Sequence, residues 1–181
     1  DMDQAMLDAV ASGAFIMGKQ VKELEASLAE YVGVKHCISC ANGTDALTLA
    51  LKTWNIGAGD AVFVPDFTFF ASAEVISLEG ATPVFVDVDA DTFNMDVKSL
   101  KEAVENTVLE GKLTPKVIIT VDLFGLPANY PEIREIADNY GLRILEDGAQ
   151  GFGGEINGKR ACSFGDISTT SFFPAKPLGC Y

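Results

Sequence analysis

Ser171-Phe172-Phe173-Pro174-Ala175-Lys176-Pro177 holds the lysine of this sequence best framed for chemistry. Most lysines are solvated charges, but this one stands among aromatic residues and between Pro174 and Pro177. The residue before a proline is biased away from helix. An apolar frame favours the neutral amine, the form that attacks a carbonyl to make a Schiff base. Glu146-Asp147-Gly148-Ala149-Gln150 offers a second group. Asp147 could bond a heteroaromatic nitrogen and keep it protonated, while Gln150 could reach a neighbouring oxygen. A turn or capping aspartate would explain Asp147 equally well. A third group is Asn42-Gly43-Thr44-Asp45, at the start of a helical pattern. Free N–H groups and the positive end of a helix dipole suit a phosphate there. Gly43 permits close backbone approach and Thr44 adds a hydroxyl donor, although plain helix capping accounts for the same residues.

Other patterns carry less. Gly153-Gly-Glu-Ile-Asn-Gly158-Lys159-Arg160 nearly spells a phosphate-binding P-loop, but Arg160 stands where a Ser or Thr should meet magnesium. Its Asn157-Gly158 pair instead predicts a hairpin turn. Gly57-Ala58-Gly59 lacks the third glycine of a dinucleotide fingerprint. Cys37 and Cys40 spell C-x-x-C inside an apolar run that reads as a strand, where side chains three apart face opposite ways. No metal site is expected, and the four cysteines are expected to be buried or partly buried free thiols of a reducing cytosol. His36, the sole histidine, has no evident partner and reads as structural.

The groups of interest must be held by elements, and hydrophobic spacing predicts them. Residues 1–17 form an N-terminal helical segment. A helix over Gly18–Tyr31 closes at Gly33, a short strand covers His36–Cys40, and a second helix opens at Asn42. Strands follow at Ala61–Val64, Val84–Val88, Val117–Val121, Leu142–Leu145 and Ile167–Phe172. Helices lie between them at Phe69–Leu78, after an Asp96 N-cap, and after Asn129-Tyr130-Pro131. Strands separated by helical stretches of roughly 10–15 residues predict a mostly parallel sheet covered on both faces. This is an α/β, three-layer α/β/α arrangement. Ligands of such sheets bind beyond the carboxyl ends of the strands, which is where Asp147, Gln150 and Lys176 fall.

With 181 residues, 48% of them hydrophobic, the chain can bury a sizeable core. A net charge of -13 argues against a non-specific nucleic-acid partner, which would need clustered Lys and Arg. No apolar run approaches the roughly 18 residues of a membrane span, and the start has no signal-peptide pattern. A cytoplasmic protein is expected.

In order along the chain stand Asn-Gly-Thr-Asp-Ala-Leu, Val-Pro-Asp-Phe-Thr-Phe-Phe-Ala-Ser, Gly-Ala-Thr-Pro-Val-Phe-Val-Asp-Val, Glu-Asp-Gly-Ala-Gln and Ser-Phe-Phe-Pro-Ala-Lys. From about Gly18 to Tyr181 the sequence resembles the DegT-type nucleotide-sugar aminotransferases, pyridoxal-phosphate enzymes of the aspartate-aminotransferase fold group. The resemblance implies that Lys176 holds pyridoxal 5′-phosphate as a Schiff base and that Asp147 pairs with the pyridine nitrogen, the two being the catalytic residues. It implies that Phe69 stacks on the ring and Gln150 faces its hydroxyl. Gly43, Thr44, Asp45 (through its backbone) and Ser171 would hold the phosphate. An amino-acid donor, glutamate, would supply the amine, and a keto-sugar nucleotide of polysaccharide biosynthesis would accept it, in a homodimer. Residues 18–181 would be the front part of the large cofactor-binding domain. The remainder of that domain and a small C-terminal domain, present in the family, would lie beyond the cofactor lysine. The alternatives are another lysine-dependent enzyme of this fold group, such as a lyase or desulfurase, and a non-catalytic regulator that keeps the fold.

Overall fold

The computed structural model describes residues 1–180. Its contacts divide the chain between residues 39 and 40 into two units. The first unit holds helices α1 (Met2–Ser12) and α2 (Lys19–Val32). Each stops at a glycine in the left-handed region, Gly13 at φ 65° and Gly33 at φ 83°, where the lack of a Cβ removes the usual penalty. The strand expected over His36–Cys40 does not form. A strand exists only beside a neighbour, and Ser39 finds a side chain instead. Its N–H and hydroxyl both donate to Glu25 Oε1, at 2.7 and 2.8 Å. Those bonds hold the Glu25 carboxyl below its ordinary range.

The second unit runs through α3 (Gly43–Thr53), β1 (Asp60–Pro65), α4 (Phe70–Leu78), β2 (Thr82–Val86), α5 (Val97–Glu110) and β3 (Thr114–Val121). It continues with a 3-10 turn (Leu123–Gly125), α6 (Tyr130–Tyr140), β4 (Arg143–Asp147), β5 (Glu155–Ile156), β6 (Lys159–Arg160) and β7 (Ile167–Thr169). β2, β1, β3, β4 and β7 lie in that order in one five-stranded sheet, every pair parallel. The expected α/β class with a parallel sheet is therefore observed.

Alternation along the strands divides the core in two. Val62 and Val64 of β1, Val117 and Ile119 of β3 and Leu145 of β4 pack with Leu47 and Leu51 of α3 and with Val75 and Ile76 of α4. Ala61, Phe63, Ile118 and Ile144 point the other way, onto Leu100 and Val104 of α5 and Ile133 and Ala137 of α6. A parallel sheet sandwiched in this way needs apolar residues on both faces, which is why β1 and β3 read as unbroken apolar runs.

Local signals mostly held. Asp96 caps α5, its carboxylate accepting from Ser99 N at 2.7 Å. Asn157 and Gly158, at φ 52° and 78°, turn the β5–β6 hairpin, so the near-P-loop motif lies on that hairpin. β7 stops at Thr169 rather than reaching Phe172. Its partner β4 ends at Asp147, paired with Thr169, and beyond that pair Gly148 N donates to Thr169 O at 2.8 Å and its carbonyl accepts from the Thr170 side chain rather than from backbone. Glu146 and Asp147, expected just past a strand, are instead the last two residues of β4. All four cysteines are free thiols, but Cys40 and Cys180 are exposed rather than partly buried. Among the described residues no helix is long and apolar enough to cross a membrane.

Candidate active site

The carboxyl ends of β1, β3, β4 and β7 deliver four short segments to one edge of the sheet. β4 delivers Asp147, which is 6% exposed. Its Oδ2 accepts from Ser72 Oγ at 2.7 Å and its Oδ1 from Ala149 N at 3.1 Å. Ser72 is fully buried in the first turn of α4, and its hydroxyl is also 3.3 Å from Thr68 Oγ1. Burial pushes the Asp147 carboxyl above its ordinary range, against the pull of the Ser72 and Ala149 bonds and of the positive charge on Lys176. A buried carboxylate of this kind is costly unless a cation faces it.

Beyond β7 the chain turns through Ser171 to Lys176, whose N–H donates to Phe173 O at 2.8 Å. Lys176 is half-buried, and its Nζ lies 5.7 Å from the centre of the Phe69 ring. The aromatic residues do not enclose the amine, since Phe69 is 64% and Phe173 65% exposed. Phe69 precedes the first turn of α4, with extended backbone at φ -69° and ψ 140°. Its ring thus stands clear of the helix, on the same short stretch as Thr68 and Ser72.

The loop after β7 also meets the start of α3. A Cβ on Gly43 would come within 3.1 Å of Ser171 Cβ and 3.5 Å of its Oγ. Glycine is therefore what lets the Ser171 hydroxyl approach the first turn of that helix. Asn42 caps the turn by accepting from Asp45 N at 2.8 Å, and its amide returns a bond to Asp45 Oδ2 at 3.0 Å. The Asp45 N–H, expected to reach a phosphate, is thus engaged. The N–H groups of Gly43 and Thr44 are ones that no carbonyl within the helix can reach.

Gln150 accepts from Phe124 N at 2.9 Å through its Oε1. Together they line a cavity of about 210 Å³ with Phe67, Thr68, Phe69 and Leu123. A larger groove of about 550 Å³ runs on the outer side of α5 and α6, past Lys101, Glu105, Glu132 and Tyr140, and none of the expected site residues lines it.

The edge also carries groups that the reading of the sequence passed over. Ser72 was marked only by being a polar residue on the apolar face of α4. Glu146 is fully buried and accepts from Phe164 N at 2.7 Å, Gly165 N at 2.9 Å, Ser168 Oγ at 2.7 Å and from Cys162 N. Asp122, immediately after β3, is fully buried too, and its Oδ1 accepts from Tyr130 OH at 2.6 Å and Ala128 N at 3.1 Å. Burial, then the neighbouring Glu146, push the Asp122 carboxyl up to about 8. The strand-end rule that marked Asp147 would have marked Asp122.

A family comparison and these motifs agree. Residues 1–181 match the DegT/DnrJ/EryC1/StrS aminotransferase family. The chain belongs to this family. It is 45% identical over 182 residues to a UDP-2-acetamido-2-deoxy-3-oxo-D-glucuronate aminotransferase of Pseudomonas aeruginosa, covering 99% of this chain and 48% of that protein. It is 44% identical to a pleiotropic regulatory protein of Geobacillus stearothermophilus, over 96% of this chain and 45% of that one. Its structure resembles that of a DegT DnrJ EryC1 StrS aminotransferase from Brucella abortus, with TM-score 0.98 and 55% identity over 99% of this chain and 48% of that one. It also resembles the PLP form of Spr1654 from Streptococcus pneumoniae, with TM-score 0.85 and 31% identity over 96% of this chain and 46% of that one. The DegT-family chain therefore spans about half the length of these relatives.

The donor set suits the pyridine-ring cofactor of this family. Asp147 is a buried acid whose pKa stays raised despite the Lys176 charge, Phe69 is an exposed ring, Lys176 an amine over that ring, and Gly43 with Ser171 a gap that any larger residue would fill.

Proposed function

We propose that this protein is a pyridoxal 5′-phosphate-dependent aminotransferase that moves an amino group from an amino acid, glutamate, to a keto-sugar nucleotide. One observation carries the reading: a buried carboxylate bonded by Ser72 and a lysine amine over the Phe69 ring converge at one edge of a parallel sheet. The Pseudomonas aeruginosa relative, named for a UDP-sugar, supports the acceptor class.

When bound, the cofactor supplies an electron sink that stabilises negative charge at a substrate carbon. Asp147 would hold a proton on the ring nitrogen, which that sink requires, and Ser72 would keep its Oδ2 aimed. Phe69 would stack on the ring. Gly43 and Thr44 N–H groups and the Ser171 hydroxyl would bind the phosphate, with Asp45 bracing Asn42 at the same turn. Gln150 would face the ring hydroxyl. Lys176 would hold the cofactor covalently until the donor amine displaces it. Its freed amine would then serve as the base that takes the proton from the donor carbon and as the acid that gives it up again, and the same residues would serve in the reverse direction for the keto-sugar. Exposed Phe67, Phe70 and Phe124 around this edge suit a homodimer in which a second copy covers them. Free thiols throughout suit the reducing cytoplasm.

The test is borohydride reduction of the cofactor-loaded protein followed by peptide mass mapping. The pyridoxyl group is expected on Lys176, and a label on Lys159 or another lysine overturns the assignment. Glutamate-dependent amination of UDP-, dTDP- and GDP-linked keto-sugars then separates an enzyme from a regulator of the same fold, which the name of the Geobacillus relative keeps in view.

A further inference from the structure

The 3-10 turn at Leu123–Gly125 is an awkward piece of backbone. Phe124 takes φ 55° and ψ 17°, and Gly125 follows at φ 91°. A phenylalanine enters the left-handed region only when its surroundings impose it. The turn also points the Phe124 N–H out of the turn, toward Gln150 Oε1 at 2.9 Å.

What imposes this conformation comes from a different loop. Asn94, 5% exposed, reaches across from the segment before α5. Its Oδ1 accepts from Leu123 N at 3.2 Å, and its Nδ2 donates to Leu126 O at 2.9 Å and Pro127 O at 3.4 Å. One amide side chain thus engages the backbone on both sides of Phe124. The use of donor and acceptor together restricts the position: aspartate could accept from Leu123 but could not donate to Leu126 or Pro127. Phe93, next to Asn94, is itself left-handed at φ 60°. Its ring lies 6.0 Å from that of Phe124 and 5.7 Å from that of Phe67.

The consequence falls on Gln150. A backbone N–H can only donate, so the amide oxygen of Gln150 must be the atom that faces Phe124. Its Nε2, a donor, is left for the cavity that Gln150 lines with Phe67, Thr68 and Phe69.

We propose that Asn94 is a positioning residue, which by clamping the Leu123–Pro127 turn holds the Phe124 N–H on Gln150 and so sets Gln150 to present a hydrogen-bond donor to the cofactor ring. The second half rests on the proposed cofactor. The first half does not.

The experiment compares wild type, Asn94→Asp, Asn94→Ala, Gln150→Ala and the double variant Asn94→Ala/Gln150→Ala in the native protein. Without cofactor, hydrogen exchange of the Phe124 amide is expected to rise at least tenfold in both Asn94 variants, and that of the Leu123 amide in Asn94→Ala, with the β4 amides unchanged. Unchanged exchange in the turn overturns the clamp, whatever the protein binds. With pyridoxal phosphate, the pH midpoint of the visible absorbance is expected to move in the same direction in Asn94→Asp, Asn94→Ala and Gln150→Ala. In the double variant it should move no further than in Gln150→Ala alone. Additive shifts, or a shift in Gln150→Ala that the Asn94 variants lack, overturn the relay. Wild-type protein with no visible absorbance would instead sink the cofactor reading and leave the exchange result to decide the clamp.

Discussion

Glu146 and Asp147 are neighbours on β4, yet their carboxylates serve opposite faces of the sheet. Asp147 turns to α4 and is bonded by Ser72, whereas Glu146 turns to the α6 side and is bonded by Phe164, Gly165 and Ser168. The two-residue period of a strand separates them. One acid thereby reaches the edge where we propose the cofactor binds, and the other ties down the segment between β6 and β7.

The Ser72–Asp147 bond is the first target. Ser72→Ala removes a donor to a buried carboxylate, an interaction of about 1.5–3 kcal/mol. The rate of the glutamate half-reaction is expected to fall roughly ten- to a hundredfold by that measure, and Asp147→Asn should reduce it further. Stopped-flow absorbance of the cofactor band reads both. A near-wild-type rate in Asp147→Asn would return that residue to a turn-capping role.

The phosphate end should be sensitive to a single methyl group. In Gly43→Ala the new Cβ would meet Ser171 Cβ at 3.1 Å, so Ser171 must retreat from the first turn of α3. Pyridoxal phosphate affinity is expected to weaken about tenfold, equivalent to ~1.4 kcal/mol, while pyridoxal without its phosphate should be far less affected. Equal losses for both ligands would place the phosphate elsewhere.

Asp122 predicts a pH dependence of stability. Its carboxyl stands at about 8 in the fold, against about 3.9 in an unfolded chain. Between those values the native state holds a proton that the unfolded state has released, so stability falls as pH rises through this window. Asp147, raised in the same direction by burial, adds to the fall. The groups facing Asp122 are Glu146 of β4, Tyr130 of α6 and the Ala128 N–H. Urea unfolding from pH 4 to 8 should show the decline, and Asp122→Asn should flatten it. An equally steep decline in that variant would mean that Asp122 releases its proton in the fold as easily as in the open chain.

Gly151 tests how tightly the same corner is packed. A Cβ there would lie 2.5 Å from Asp122 Cβ and 2.6 Å from its Oδ2. Gly151→Ala is expected to lower stability by about 1–3 kcal/mol, the usual cost of overpacking. Gly153→Ala, two residues on, has no atom within 4 Å of its new Cβ but sits at φ 99°, so it reports backbone strain without the clash. Near-wild-type stability in Gly151→Ala, beside a clear loss in Gly153→Ala, would show that the Asp122 contact relaxes freely.

Features that depend on near neighbours along the chain were legible in the order of residues. Asp96 capping α5, the Asn157-Gly158 hairpin and the Gly33 stop of α2 each follow from a few adjacent residues, whose steric preferences act wherever the chain lies. The two-sided apolar runs of β1 and β3 announced a covered parallel sheet for the same reason. Lys176 and Asp147 could be picked out because the ends of such strands are where a sheet exposes polar groups. The tertiary structure alone decided who meets whom. Ser72 reaches Asp147 from 75 residues away, and Asn94 reaches Leu126 from 32 away. The His36–Cys40 run, with every local mark of a strand, makes none because Ser39 bonds Glu25 instead of a neighbouring strand. A strand, a clamp or a buried acid exists only once a partner has been brought within about 3 Å, and packing of the whole sheet, not local preference, chooses that partner.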